Sequence, residues 1–245
     1  AAVQLAYKKC VPTVKSYADI TEALVNDTIT AEKAHNIQIA VLGTYVELAI
    51  NDTRRLQNVA DFKSQLAVCK ALGAGCIGTE TTKMCDQPTG TTREEAQELL
   101  CRSLAEILPV AEELGVTVGV EPVTYHSMNS AAATRHILDT MRSPNLKVIF
   151  DLSNLVDADN VNAQDRIWND IGELVGDKIV AVHFKGQAFN PDGSLLHTSL
   201  EDSLTDYAGA FAMLRQLPQE VLPVLREEAV PARAASDIAF MRRFF

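Results

Sequence analysis

The sequence predicts an α/β fold of the (β/α)8 TIM barrel type, on three observations. Strand-like runs starting near residues 2, 37, 76, 116, 146, 179 and 221 recur every 30 to 42 residues, with a helical stretch after each. Regular alternation of this kind implies parallel strands joined by right-handed crossovers. Four consecutive runs then finish on a group for which a buried strand has no structural use. VTVGVEPV carries Glu121, LKVIFD ends on Asp151, IVAVH on His183 and VLPVLRE on Glu227. Barrel active sites gather at the carboxyl ends of the strands, which is where these residues fall. Finally, no Gly-rich phosphate loop follows the first strand, which disfavours a doubly wound sheet.

Length agrees: 245 residues match the roughly 250 of a single barrel, and no linker or low-complexity stretch divides them, so one domain over 1–245 is expected. Only seven βα units can be counted where a closed barrel needs eight. The first unit is therefore expected to be missing from the chain as given, with a helix across the gap as the alternative, because an unclosed parallel barrel exposes two strand edges.

In chain order, 2–6 (AVQLA) reads as a strand, 17–34 as a helix and 37–45 (IQIAVLGTY) as a strand. Residues 54–72 place Leu56, Val59, Phe62, Leu66 and Leu72 at helical intervals and close on Gly73, a C-cap signal. A short strand over 76–79 leads into GTETTK. Thr92 followed three residues later by Glu95 is a capping box that opens a helix to Leu114, stopped by Gly115. The Glu121 strand is followed by a loop with His126, a helix over 130–141 and the turn Ser143-Pro144-Asn145 before the Asp151 strand. A helix over 163–175 carries Trp168; the His183 strand, the loop 190–193, a helix over 207–217, the Glu227 strand over 221–227 and a final helix from about Arg233 complete the chain.

Composition excludes several function classes. Net charge is −10, and an acidic surface repels phosphodiester backbones, so no nucleic-acid partner is expected. No run of about 18 apolar residues exists, so no membrane partner is expected. Cys10, Cys69, Cys76, Cys85 and Cys101 are irregularly spaced, without a C-x-x-C. They read as reduced thiols acting as small buried hydrophobes in a cytoplasmic protein.

Three carboxylates and one imidazole delivered by four strand ends make a donor set for a divalent cation. Mixed hard oxygen and borderline nitrogen donors suit Mn²⁺, Mg²⁺ or Co²⁺, with Zn²⁺ also admitted. Three carboxylates at one point without a cation would repel, and one would have to take up a proton. Any one of these residues alone reads more simply as a salt bridge, a cap or a satisfied rim histidine; four on consecutive strands do not. Glu227 and Glu228 are adjacent, and alternation turns only one inward. The strand register favours Glu227. Arg226 then points to the other face, among helices.

GVTVGVEPV, KVIFDLSNL, DKIVAVHFKG and LPVLREE, in this order and spacing, resemble the xylose isomerase-like TIM barrel superfamily of sugar phosphate isomerases and epimerases. The resemblance implies that Glu121, Asp151, His183 and Glu227 bind one divalent metal ion, with Glu121 and Glu227 also the catalytic acid–base pair. It implies that His126 and Asn129, in HSMN, help to shape a substrate pocket, and that Lys185, in H-x-K, contacts a substrate oxygen. The group's epimerases carry a histidine three residues after the ligand Asp; here that position is Asn154, still expected at the substrate. Gly186 replaces the acidic residue after H-x-K. Glu80 in GTET is a candidate for holding a sugar hydroxyl and Tyr45 for a pocket wall, against a loop ion pair and simple packing. His35, His136 and His197 read as surface or structural.

The expected function is a metal-dependent isomerase or epimerase of a small sugar or polyol, phosphorylated or not. The chemistry is proton transfer next to a carbonyl, through a metal-stabilised enediolate, with a glutamate on each face. An inosose-type dehydratase on the same metal site, or a catalytically silent sugar-binding barrel, is the alternative. A homo-oligomer is compatible with the resemblance. A nuclease would need a basic face and histidines on the early strands, which AVQLAYK and VLGTYVEL lack.

Overall fold

Seven parallel strands follow one another around a nearly closed barrel, each joined to the next through a helical segment. The computed structural model describes residues 1–219, 222–227 and 231–245. The elements are β1 (Ala2–Leu5), α1 (Tyr7–Cys10), α2 (Glu22–His35), β2 (Gln38–Gly43), α3 (Arg54–Leu72), β3 (Cys76–Glu80), α4 (Arg93–Leu114), β4 (Val118–Glu121) and α5 (Ala131–Met141). They continue with β5 (Leu146–Asp151), α6 (Gln164–Val175), β6 (Ile179–Phe184), β7 (Gly186–Phe189), β8 (Leu195–Thr198), α7 (Tyr207–Leu214), β9 (Val224–Arg226) and α8 (Ala234–Met241). The sheet order is β1-β2-β3-β4-β5-β6-β9, every pair parallel, while β7 and β8 form a separate antiparallel hairpin. β1 and β9 are the two edges, and side chains bridge between them: Gln4 Nε2 on β1 lies 3.4 Å from Glu227 Oε1 just past β9.

Local chemistry sets the helix ends. Thr92 Oγ1 accepts from the Glu95 N–H at 3.1 Å, and the Glu95 carboxylate accepts from the Thr92 N–H at 2.9 Å, closing the capping box that opens α4. Gly73 and Gly115 end α3 and α4 at φ of +66° and +69°, a left-handed conformation that glycine adopts without a Cβ penalty.

Two apolar layers result. The larger lies between strands and helices and includes Phe62, Leu104, Phe150, Trp168 and Phe184. The smaller fills the barrel: Ala40, Val41, Cys76, Ile149, Ala181 and Leu225. Ile149 occupies so much of that interior that a Cβ at Gly78 or Gly119 would lie 2.5 or 2.7 Å from its side chain. Period-2 alternation fixes what stands above this plug. Gly119, Ile149, Ala181 and Leu225 are each two residues before Glu121, Asp151, His183 and Glu227. The functional candidates therefore form the next inward layer, at the carboxyl ends of the strands.

Several sequence expectations shift. The helix expected over 17–34 is broken: Asp19 Oδ2 accepts from the Lys15 and Ser16 N–H groups, closing a single 3-10 turn at Tyr17–Asp19, and α2 begins only after the Thr21 cap. The last strand is shorter than 221–227, and Val221 and Glu228 lie outside the described residues. The stretch after His183 holds the β7–β8 hairpin, whose turn is the expected loop 190–193, with Gly193 at φ +81°. Cys69 and Cys76 are buried as expected, but Cys10 and Cys85 are exposed; all five are free thiols. No described helix is long and apolar enough to cross a membrane.

Candidate metal centre

Glu121 is the last residue of β4, Asp151 the last of β5, and His183 the fifth of the six in β6; Glu227 follows β9 directly. Parallel pairing sets Glu80 beside Glu121 and Asp151 beside His183. Each of the four inward residues offers one donor atom, and all four atoms lie within 4.8 Å of one another. His183 Nδ1 is 3.1 Å from Glu121 Oε2 and 3.5 Å from Glu227 Oε2. Glu121, Asp151 and His183 are buried and Glu227 is largely so.

One oxygen of each carboxylate is held, leaving another directed inward. The Ser153 and Asn154 N–H groups donate to Asp151 Oδ1 at 2.6 and 3.0 Å, while Oδ2 is buried without a hydrogen bond. Asn154 Nδ2 donates to Glu121 Oε1, and Oε2 turns to His183. Tyr45 Oη and Gln4 Nε2 donate to Glu227 Oε1 at 3.3 and 3.4 Å, and Oε2 is buried without a hydrogen bond. His183 Nε2 is likewise buried without a hydrogen-bond partner, while Nδ1 faces the Glu121 carboxylate. Buried polar atoms left this way are costly unless a ligand completes them. Three carboxylates and an imidazole converging with lone pairs directed at one point fit a divalent cation.

The electrostatics agree. Burial raises the Glu121 pKa, with the neighbouring carboxylates adding to the rise and His183 opposing it. Burial alone would lower the His183 pKa, but the Glu121 carboxylate reverses the sign and raises it. Lys185, 5% exposed, puts Nζ 3.4 Å from Asp151 Oδ2 and 3.8 Å from Glu227 Oε2, a second cation against the excess of negative charge. Its backbone is anchored: the Lys185 carbonyl accepts from Ser153 Oγ at 2.8 Å and from Tyr207 Oη at 2.7 Å.

The remaining candidates divide. Tyr45, Glu80 and His126 line one cleft of about 160 Å³ on the same rim. Burial raises the pKa of Tyr45 and of Glu80. His126 is 1% exposed, both ring nitrogens lack a hydrogen bond, and burial, helped by Lys83, lowers its pKa to about 4. A backbone bridge between Lys83 and His126 fastens the loop after β3 to the loop after β4. Asn129, by contrast, lines a different cavity, with Ser130 and Asp170. Arg226 points away as expected, its Nε 2.8 Å from Asp237 Oδ2 on α8. His35, His136 and His197 are exposed.

Sequence reasoning missed Gln4 and Lys9. Gln4 Nε2 donates to Tyr45 Oη at 2.8 Å, and Lys9 Nζ stands 3.3 Å from the centre of the Tyr45 ring. A polar residue inside the apolar AVQLA run was the available signal.

Comparison with known proteins follows the same lines. Solved structures share the fold at low identity. A D-tagatose 3-epimerase-like protein superposes with a TM-score of 0.77 at 13% identity, over 99% of this chain and 87% of that one. The IOLI protein with a binding zinc atom gives 0.75 at 16%, over 99% and 86%. A D-psicose 3-epimerase with D-tagatose, from Clostridium cellulolyticum H10, gives 0.74 at 13%, over 99% and 88%. At such identities the likeness is one of fold. No curated protein matches the sequence. The family model described as Xylose isomerase-like TIM barrel matches residues 1–244, and the chain belongs to that family.

Proposed function

We propose that the protein is a divalent-metal-dependent isomerase or epimerase acting on a small sugar or polyol. The observation that carries this reading is the convergence of Glu121, Asp151, His183 and Glu227, with their donor atoms within 4.8 Å of one another at the mouth of a barrel. These four would hold the ion, drawn from Mn²⁺, Mg²⁺, Co²⁺ and Zn²⁺; the zinc in one fold neighbour is consistent with the last. A cation bound there supplies Lewis-acid polarisation of a carbonyl and the hydroxyl beside it.

The protein's own groups do the rest. Glu121 and Glu227 take and return the proton on the carbon next to that carbonyl, a contribution of about 10² to 10⁴ in rate. Asn154 holds one oxygen of Glu121, and Tyr45 with Gln4 holds one oxygen of Glu227, so the other oxygen of each is aimed inward. Lys185 lies within reach of the same point and offers an ammonium to a substrate oxygen. Glu80 and the neutral imidazole of His126 face the small cleft beside Tyr45, where they hold substrate hydroxyls.

Incubation with a panel of sugars and polyols in deuterated water with added Mn²⁺ tests this. The expected result is exchange of one carbon-bound hydrogen, read by NMR, falling by about 10² or more in Glu121→Gln and Glu227→Gln. Absence of exchange across the panel, or loss of water without exchange, would overturn the assignment, the second result in favour of a dehydratase.

A further inference from the structure

A second cleft, of about 570 Å³, opens beside the candidate metal centre with Asn154 in its wall. Asn154 is also the residue that donates to Glu121, so the cleft begins where the metal-site residues end. Its volume falls within the roughly 300–1,000 Å³ of pockets that hold a drug-sized ligand, more than a single sugar ring seated over the four donors would need. Phe189 and Leu195 are cross-strand partners on β7 and β8, which puts both side chains on one face of the hairpin. That face lines the cleft, together with Tyr125 from the loop after β4. Tyr125 and Leu195 are 46% and 39% exposed. Together they give the cleft one apolar, aromatic wall opposite its polar groups. An aromatic ring beside hydrogen-bonding groups suits the mixed C–H and hydroxyl faces of a carbohydrate.

The charges on the wall select against one class of sugar. Asp157, Asp159 and Asp192 line the cleft, and Arg93 is the cation among the described lining residues. Arg93 turns one N–H of Nη1 to the His126 carbonyl. A phosphoryl group entering here would meet three carboxylates against one guanidinium, a net negative wall that repels it.

The geometry points to an uncharged sugar carrying a second ring in glycosidic linkage as the substrate class, with the second ring in the cleft against Tyr125, Phe189 and Leu195. This assignment rests on the sugar isomerase or epimerase reading and narrows it from sugars in general, phosphorylated or not, to neutral glycosides.

Calorimetric titration of the Mn²⁺-loaded protein with D-fructose, D-fructose 6-phosphate and the fructose disaccharide lactulose tests it. Lactulose is expected to bind at least about tenfold more tightly than fructose, and the phosphate no more tightly than fructose. Tyr125→Ala is expected to collapse the ratio of lactulose to fructose affinity, and Tyr125→Phe to restore most of it. A phosphate that binds more tightly than fructose, lactulose that binds no better than fructose, or a ratio indifferent to Tyr125→Ala would each overturn the assignment. Deuterium exchange on the same samples separates the two readings. Preferred lactulose binding without exchange removes the isomerase chemistry and leaves the cleft; exchange of fructose with preferred phosphate binding removes the cleft and leaves the chemistry.

Discussion

His126 is a neutral imidazole by construction, with its pKa held near 4 by burial. Its ordinary value in an unfolded chain is about 6.5, so between these values the unfolded state binds the extra proton. The stability linked to this group is fully present above pH 6.5 and is lost as pH falls through 4. The loss is on the order of 3 kcal/mol for a shift of this size. Urea titrations at pH 7 and pH 4.5 measure it: His126→Gln should show a smaller acid-induced drop than wild type, and an equal drop in both would remove the account. At this scale the sequence was partly legible. Asp151 and His183 stand out because charge at the end of an apolar run has no packing use. The roles of Gln4 and Asn154 were not legible, because an amide that aims a carboxylate looks like any polar residue until β1 meets the end of β9 and the end of β5 meets β4.

Gly186 opens the β7–β8 hairpin, where the opposing backbone leaves no room for a side chain. A Cβ at Gly186 would lie 2.4 Å from the Ser199 carbonyl oxygen and 2.6 Å from that of Thr198. Backbone cannot retreat as a flexible side chain does, so Gly186→Ala should cost about 1–3 kcal/mol or unpair the hairpin. Thermal unfolding together with proteolysis between Phe189 and Leu195 reads this out; an alanine variant as stable and as resistant as wild type would contradict it. The same element shows why local reading falls short. Caps and strand ends were legible from short-range chemistry, as at Thr92, Gly73 and Gly115. Two four-residue strands beside a turn were hidden, because LLHT and GQAF are too short for period-2 alternation to separate from a loop.

Across the whole molecule, the 30-to-42-residue rhythm made the barrel legible, since crossovers of that length admit few other topologies. The filling of the barrel was not, because Gly78 and Gly119 show their purpose only against Ile149, two strands away in the case of Gly78. That plug places four inward groups from β4, β5, β6 and the end of β9 around one point, so occupancy of the point couples the two halves of the sheet. A ligand that binds only the folded state at 100 times its dissociation constant adds about 2.7 kcal/mol. For a chain of this size that is about 5–10 °C in melting temperature. Calorimetry on protein dialysed against chelator, then titrated with Mn²⁺, Co²⁺ or Zn²⁺, should show an increment of this order that saturates at one ion per chain. Asp151→Asn keeps an oxygen for the Ser153 and Asn154 N–H groups but removes the charge that the ion needs, so it should fold and lose the increment. Because lone pairs on His183 must be free of protons to bind, the increment should also weaken as pH falls. A melting temperature indifferent to all three ions in the wild-type protein would leave the convergence of these groups without a ligand and would end the metal-dependent reading.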